Sequence, residues 1–448
     1  TAAYNTAVGA RTLSSNVTGA RNVAVGYSAL ESNSSTNGGS YNVGVGFAAL
    51  CVNQASSNVA IGYSALGLNT TGTPNIAIGY GALDANTTGA DNTAVGHMAL
   101  SAVQTTSGNT AFGSEALMSN SSGHSNTAVG NEAMYGGTTG QRNTAVGNTA
   151  LDAINTGNDN TAIGNGSMGT NTDGQYNTAV GAASLVSNSS GNYNVGVGYQ
   201  VLEQGTTGSN NVAIGAASMN GINTGGDNTA VGKSAMQANT SGNNNVSVGM
   251  AALSTNTTGT HNTAVGRGAL ANHTGSHTVA VGRNALFAHQ SGGGNTAVGN
   301  EALTALTTAS NCTAVGKNAG VSNTAASNTL IGSAAGDALT IGGNNTAVGY
   351  DAMGACVEGG HNVAVGLAAM RTGNGSHNVC IGSATGYNMS AGADQNTFIG
   401  REAGHNNTTA DNNTLVGYQA GFNVTEGANN VCFGYLSGKY GVTLTTGH

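Results

Sequence analysis

Along most of this chain a short apolar stretch with β-branched residues at every second position gives way to a polar run, and then the pattern starts again. In residues 126–139, Thr127 and Val129 flank Ala128, Gly130 follows, then comes the pair Ala133-Met134 and a polar, Gly-rich segment. Strict alternation of this kind predicts a strand. The polar runs, such as Asn86-Thr87-Thr88-Gly89 and Asn256-Thr257-Thr258-Gly259, carry turn residues, with Gly expected to supply positive φ.

The Gly that closes the strand pattern recurs at 9, 26, 46, 62, 79, 96, 113 and onward to 434, making 26 units, most of them 17 residues long. So short a unit has no room for a helix and its connections. It predicts two short strands and two turns, one coil of a parallel β-solenoid in which each repeat buries its faces against its neighbours. At about 4.8 Å per coil the whole would be a rod of about 125 Å. Residues 1–311 follow the NTAVGxxAL form, and residues 312–448 continue it as a variant VGxxAG form.

Four residues before the Gly, Asn is present in 24 of 26 units, with Thr278 and Cys312 as the exceptions. The column includes Asn5, Asn22, Asn42, Asn58, Asn75, Asn92, Asn126, Asn143, Asn228, Asn262, Asn295 and Asn345. In register, such amides are expected to hydrogen-bond from coil to coil.

The positions one and two before the Gly point to opposite faces of the strand. Beyond residue 312 the usual Leu or Met becomes Gly336, Gly386, Gly404, Gly421 and Gly438, while the usual Ala becomes Leu330, Cys380, Phe398, Leu415 and Cys432. A large residue appears on one wall when one vanishes from the other, as a close-packed interior of fixed volume requires. Ala and Leu are therefore assigned to the core. Gly320, opposite the small Ala314, breaks the rule. The Val/Ile row, including Val8, Val25, Ile61, Val95, Val129, Val231, Val265 and Val298, then faces outward. So long an apolar stripe calls for burial against other copies, and a homotrimer is expected.

Composition narrows the function. Charged residues are 6% of the chain, Gly 74 of 448, and the net charge is −8. Ten Lys and Arg spread over the length do not predict a nucleic-acid surface. No apolar run approaches the roughly 18 residues of a membrane span, so no membrane insertion is expected of this segment. The opening TAAYNTAVG lies already within the repeat, which reads as a piece of a longer polypeptide.

The NTAVGxxAL unit resembles the head repeats of trimeric autotransporter adhesins and, more closely, the repeat tracts of phage-type tail fibres. That resemblance spans nearly the whole chain. It implies a homotrimeric, left-handed parallel β-roll on a cell or virion surface, extracellular, with a surface glycan or other receptor as partner. Neither the anchoring barrel of the autotransporters nor the C-terminal chaperone of tail fibres is expected within this segment.

Candidate chemistry is sparse. Glu115, Glu132 and Glu301 share one phase, but no paired-carboxylate motif appears, and neither a catalytic residue nor a cofactor is assigned. His261 and His277, His361 and His377, and His273 and His289 pair in phase on adjacent coils. The first two pairs are weak metal candidates, since a transition ion wants four or more ligands, and stacked neutral imidazoles are the simpler reading. No metal site is assigned. The five Cys are never in phase on adjacent coils and predict no bridge. Tyr recurs directly after the Gly (Tyr27, Tyr63, Tyr80, Tyr199, Tyr350, Tyr418, Tyr435), where rings either stack on sugars or pack on each other. The rival readings are an ice-binding solenoid, because Thr is abundant, and a glycan-acting enzyme.

Overall fold

The computed structural model describes residues 2–33 and 39–439; of the two expected segments, residues 1, 34–38 and 440–448 lie outside the described residues. The protein is an all-β parallel solenoid with one strand in each of 26 coils and no helix among the described residues. It forms two compact units, Thr1–Asp227 and Asn228–His448. In the first, strands β1 (Thr6–Val8) to β13 (Val212–Ile214) follow one per coil. Each pairs in parallel with the next at constant register, as in Thr127↔Thr144, Ala128↔Ala145 and Val129↔Val146. In the second, β14 (Thr229–Val231) to β26 (Val431–Phe433) do the same, as in Thr263↔Val279, Ala264↔Ala280 and Val265↔Val281. The change in core filling after residue 312 lies inside this second unit.

The wall opposite the strand departs from the expected second strand. Residues two and four after the coil Gly are left-handed: Ser28 has φ 57° and Leu30 φ 51°, and Ser234 and Met236 repeat this at 56° and 52°. The N–H groups of these two residues point to opposite neighbours. The Ser28 N–H donates to the Ala10 carbonyl of the preceding coil, and the Leu30 N–H to the Ala49 carbonyl of the following one, both at 3.0 Å. The wall is thus hydrogen-bonded from coil to coil without being extended. Left-handed Leu is locally unfavourable, and only the stacked geometry holds it there.

The glycines divide differently from expectation as well. Gly89 and Gly259, in the polar turns, do not have positive φ. Their lack of a side chain serves close approach, since a Cβ on Gly89 would run into the Thr106 carbonyl and one on Gly259 into the Gly275 carbonyl. Positive φ falls instead on the coil Gly. Gly164 sits at 137°, and a Cβ there would lie 2.5 Å from the carbonyl carbon of Gly181 in the next coil.

The core is the narrow space between the strand and the left-handed wall. Ala128, Ala133 and Met134 line it in the first unit and Ala264, Ala269 and Leu270 in the second, all buried. The exchange of large residues between walls is visible atom by atom. A Cβ added to Gly404 would meet the Phe398 ring at 2.6 Å, and one added to Gly421 would meet Leu415 Cδ1 at 2.6 Å. Gly320, the exception, also has its explanation: its space is taken by Leu330 Cδ1 of the next coil, 2.5 Å from where its Cβ would stand. Filling therefore passes between coils as well as across one.

Gly404→Leu restores the residue that other coils hold at this left-handed φ of 57°, and adds to that backbone cost a clash with Phe398. The single variant should lose roughly 1–3 kcal/mol by overpacking, and Phe398→Ala should lose roughly 3–5 kcal/mol by cavity formation. The double variant should be clearly more stable than the sum of these losses, and a thermal-denaturation cycle reads that coupling. Additive losses would overturn the shared-volume account.

Candidate interaction surface

Within each unit, the Asn column forms a hydrogen-bond ladder along the strand entries. The Asn22 N–H donates to Asn5 Oδ1 at 2.8 Å, Asn42 to Asn22 at 2.9 Å, and Asn143 to Asn126 at 2.9 Å. Most of the Nδ2 groups meanwhile cap a turn carbonyl further along the chain, as in Asn143 to Gly157 at 2.9 Å and Asn345 to Gly359 at 2.8 Å. The ladder thus runs chiefly from side chain to backbone, with amide-to-amide contacts such as Asn160 Nδ2 to Asn143 Oδ1 at 3.2 Å added in places. Both exceptions keep the backbone half of it: Thr278 N–H reaches Asn262 Oδ1 at 3.1 Å and Cys312 N–H reaches Asn295 Oδ1 at 2.9 Å. Apart from the half-buried Asn5, these side chains are buried, so the column is internal scaffolding.

The strands turn their first and third residues outward. Their third residues form one aliphatic row per unit, with Ile61 39% and Ile163 40% exposed in the first, and Val298 37% and Ile381 39% in the second. Val25, Val95, Val129, Val231 and Val265 are half-buried in the same rows, and Val8 is exposed. Between Thr93 and Thr178 the first residues form an unbroken run of six Thr in register.

One residue past the Gly, rings that fall in successive coils stack on each other, while Tyr199 and Tyr350 stand exposed between non-aromatic neighbours. Tyr27, Phe47, Tyr63, Tyr80 and His97 make a ladder of five rings, with centroids 5.0–5.4 Å apart and planes within 17°. Tyr418 and Tyr435 stack at 5.3 Å. The faces of the inner rings are covered by neighbours, which leaves edges and not platforms for a sugar. The exposed histidines behave alike: His261 and His277 stack at 5.1 Å, and His361 and His377 at 5.0 Å. Among the described residues no group of three or more His, Cys, Asp or Glu converges as a metal site would need. Of the three in-phase glutamates, Glu115 lies 3.9 Å from His97 and Glu301 3.6 Å from Arg283, and Glu132 is half-exposed. The described cysteines are all free, and burial pushes the Cys380 thiol up to about 12.

His273 and His289 differ from the other pairs. They occupy a buried column held in other coils by Asn, such as Asn239 and Asn256, or by an apolar residue, such as Leu306 and Leu339, and stack at 4.8 Å. Neither ring nitrogen of His273 has a hydrogen-bond partner, whereas His289 Nε2 lies 3.1 Å from the Gly292 carbonyl. Burial, and then the neighbouring His289, lower the His273 pKa from 6.5 to about 3; burial lowers that of His289 too.

No protein-family model matches this chain, and no curated protein matches it significantly. The assignment of function therefore rests on the geometry. No helix among the described residues is long and apolar enough to cross a membrane.

A histidine held neutral in the fold stabilises fully above its unfolded pKa near 6.5. That share is lost as pH falls from about 6.5 toward 3, at up to about 1.4 kcal/mol per pH unit for His273. Stability of the second unit between pH 7 and pH 5, read by hydrogen exchange across residues 256–295, should drop in the unaltered chain. The drop should largely vanish in His273→Asn/His289→Asn, which places the column's commonest polar residue at both positions. Equal acid sensitivity of the two chains would overturn this reading.

Proposed function

We propose that the chain is the shaft or head of an extracellular fibre, a homotrimer of left-handed β-rolls that spaces a binding tip from its anchor and meets surfaces along its sides. The observation that carries the proposal is the aliphatic row. It repeats in every coil of both units, aliphatic except for Phe112 and Phe433, and its residues stay partly exposed in the single chain. Solvent-exposed apolar rows of that length mark a surface that is covered in use, and copies of the same chain supply a row of matching length and period. The number three and the handedness rest on the resemblance of the NTAVGxxAL unit to trimeric fibre repeats. Such a coil suits a mechanical role, because backbone hydrogen bonds run between all successive coils within a unit and leave open edges only at its ends.

The native mass of the chain in solution, by light scattering, should be three times 43.5 kDa. Val129→Asp/Val265→Asp places one charge in the row of each unit without touching the core. This variant should lower the mass while the far-ultraviolet circular dichroism stays unchanged. A monomeric unaltered chain would remove the fibre reading.

A second reading is favoured by the six in-register Thr from Thr93 to Thr178, a flat outward array of the kind that orders water. On that reading the protein binds ice, and a monomer with thermal hysteresis is the expected outcome. Absence of hysteresis ends it.

A further inference from the structure

In the second unit the residue after the coil Gly is Lys233, Met250, Arg267, Arg283, Asn300 and Lys317 in six successive coils. Register is constant across them, from Thr229↔Val246 to Thr296↔Thr313, so the six side chains form one column. Cations that are scattered in the sequence are thereby set in line. Arg267 and Arg283 are neighbours at about 5 Å, and the two Lys stand about 10 Å further out on either side. Residues 228–336 hold these four cations and a single acid, Glu301, giving a local net charge of +3 in a chain of net charge −8. Glu301 lies 3.6 Å from Arg283. No carboxylate lies within ion-pair distance of Arg267 among the described residues.

A cavity of about 320 Å³ opens at the two arginines, lined also by Met250, Gly268, Asn284 and Phe287. Gly268 keeps it open. Other coils carry a side chain at this left-handed position, such as Ser234 at φ 56°, and a Cβ on Gly268 would come within 2.8 Å of Asn284 Oδ1 and 3.3 Å of the Phe287 ring. Phe287 is 41% exposed. Its neighbours in the same column are Ala271 and Thr304, so its ring faces are not consumed by stacking as those of Tyr63 are.

We propose that this groove binds a linear acidic polysaccharide, with a carboxylated or sulfated sugar ring seated on Phe287 and its anionic group held by Arg267 and Arg283. Guanidinium forks match carboxylate and sulfate oxygens in paired hydrogen bonds, and the apolar face of a sugar ring suits the phenyl and Met250. The outer Lys233 and Lys317 continue the line at intervals that fit acidic groups on every residue or every second residue of an extended sugar chain. Single-stranded nucleic acid fits less well, because it uses successive aromatic platforms and the groove offers one. The inference deepens the fibre reading by naming the class of surface its flank meets. It does not depend on the number of chains.

The test titrates the full chain by calorimetry with heparin, alginate, neutral dextran and oligo(dT), with the native mass followed alongside. Heparin or alginate should bind, dextran should not, and oligo(dT) should bind more weakly. Arg267→Ala and Arg283→Ala should each weaken the acidic glycan at least about tenfold. Gly268→Ser, which places there the residue that Ser234 is in another coil and fills the cavity, should weaken it with mass unchanged and at most a small fall in melting temperature. No binding of either acidic glycan, no effect of the variants, or oligo(dT) binding as tightly with the same losses would overturn the proposal. Failure of the trimer alone would show in the mass and not in these titrations.

Discussion

Each coil must hand the next an identical backbone path, and the rest of this structure follows from that demand. Within each unit, a coil's strand and its left-handed wall both hydrogen-bond to the coils before and after it, so a shift in one turn would break bonds on both sides. Burying an unpaired backbone group costs about 1–3 kcal/mol. The stacked Gly positions, where any Cβ would strike the neighbouring backbone, and the Asn ladder, which ties each strand entry to the last, both serve this constancy. They occupy different points of the coil and answer the same constraint.

With the path held constant, the core has little freedom of shape. It is one or two side chains deep, and the cross-section of a coil fixes its volume. Large residues can be moved between walls, as Phe398 opposite Gly404 shows, or borrowed from the next coil, as Leu330 does for Gly320. Polar substitution inside is tolerated where the ladder partner survives: Thr278 and Cys312 keep the backbone hydrogen bond although they lose the amide. His273 and His289 strain that tolerance, because imidazole replaces an amide without replacing all its hydrogen bonds.

The same constancy turns any phase of the repeat that faces outward into a line of side chains at strand spacing. One phase carries a run of rings from Tyr27 to His97 and a run of cations from Lys233 to Lys317. Rings in succession cover one another, while cations in succession repel and await an anion. The aliphatic phase is apolar throughout, and it is this row that speaks for assembly.

Much of this was legible in the sequence. The period, the strand around each Ala, the Asn column and the wall-to-wall exchange of large residues could all be read from spacing, because a repeat samples one environment 26 times and so exposes its rules. Other features could not be read so. Left-handed Leu and Met leave no mark on a hydrophobic pattern, since local propensity opposes that conformation and only stacking imposes it. The role of Gly89 depends on a carbonyl of the next coil, and the filling of Gly320 on a side chain ten residues further on. The cationic column was hidden by counting charges along the chain when the structure counts them across it. Sequence by itself determined the coil and its register. Tertiary structure decided which backbone groups approach across coils and which distant charges stand side by side, because those distances exist only once the coils are stacked.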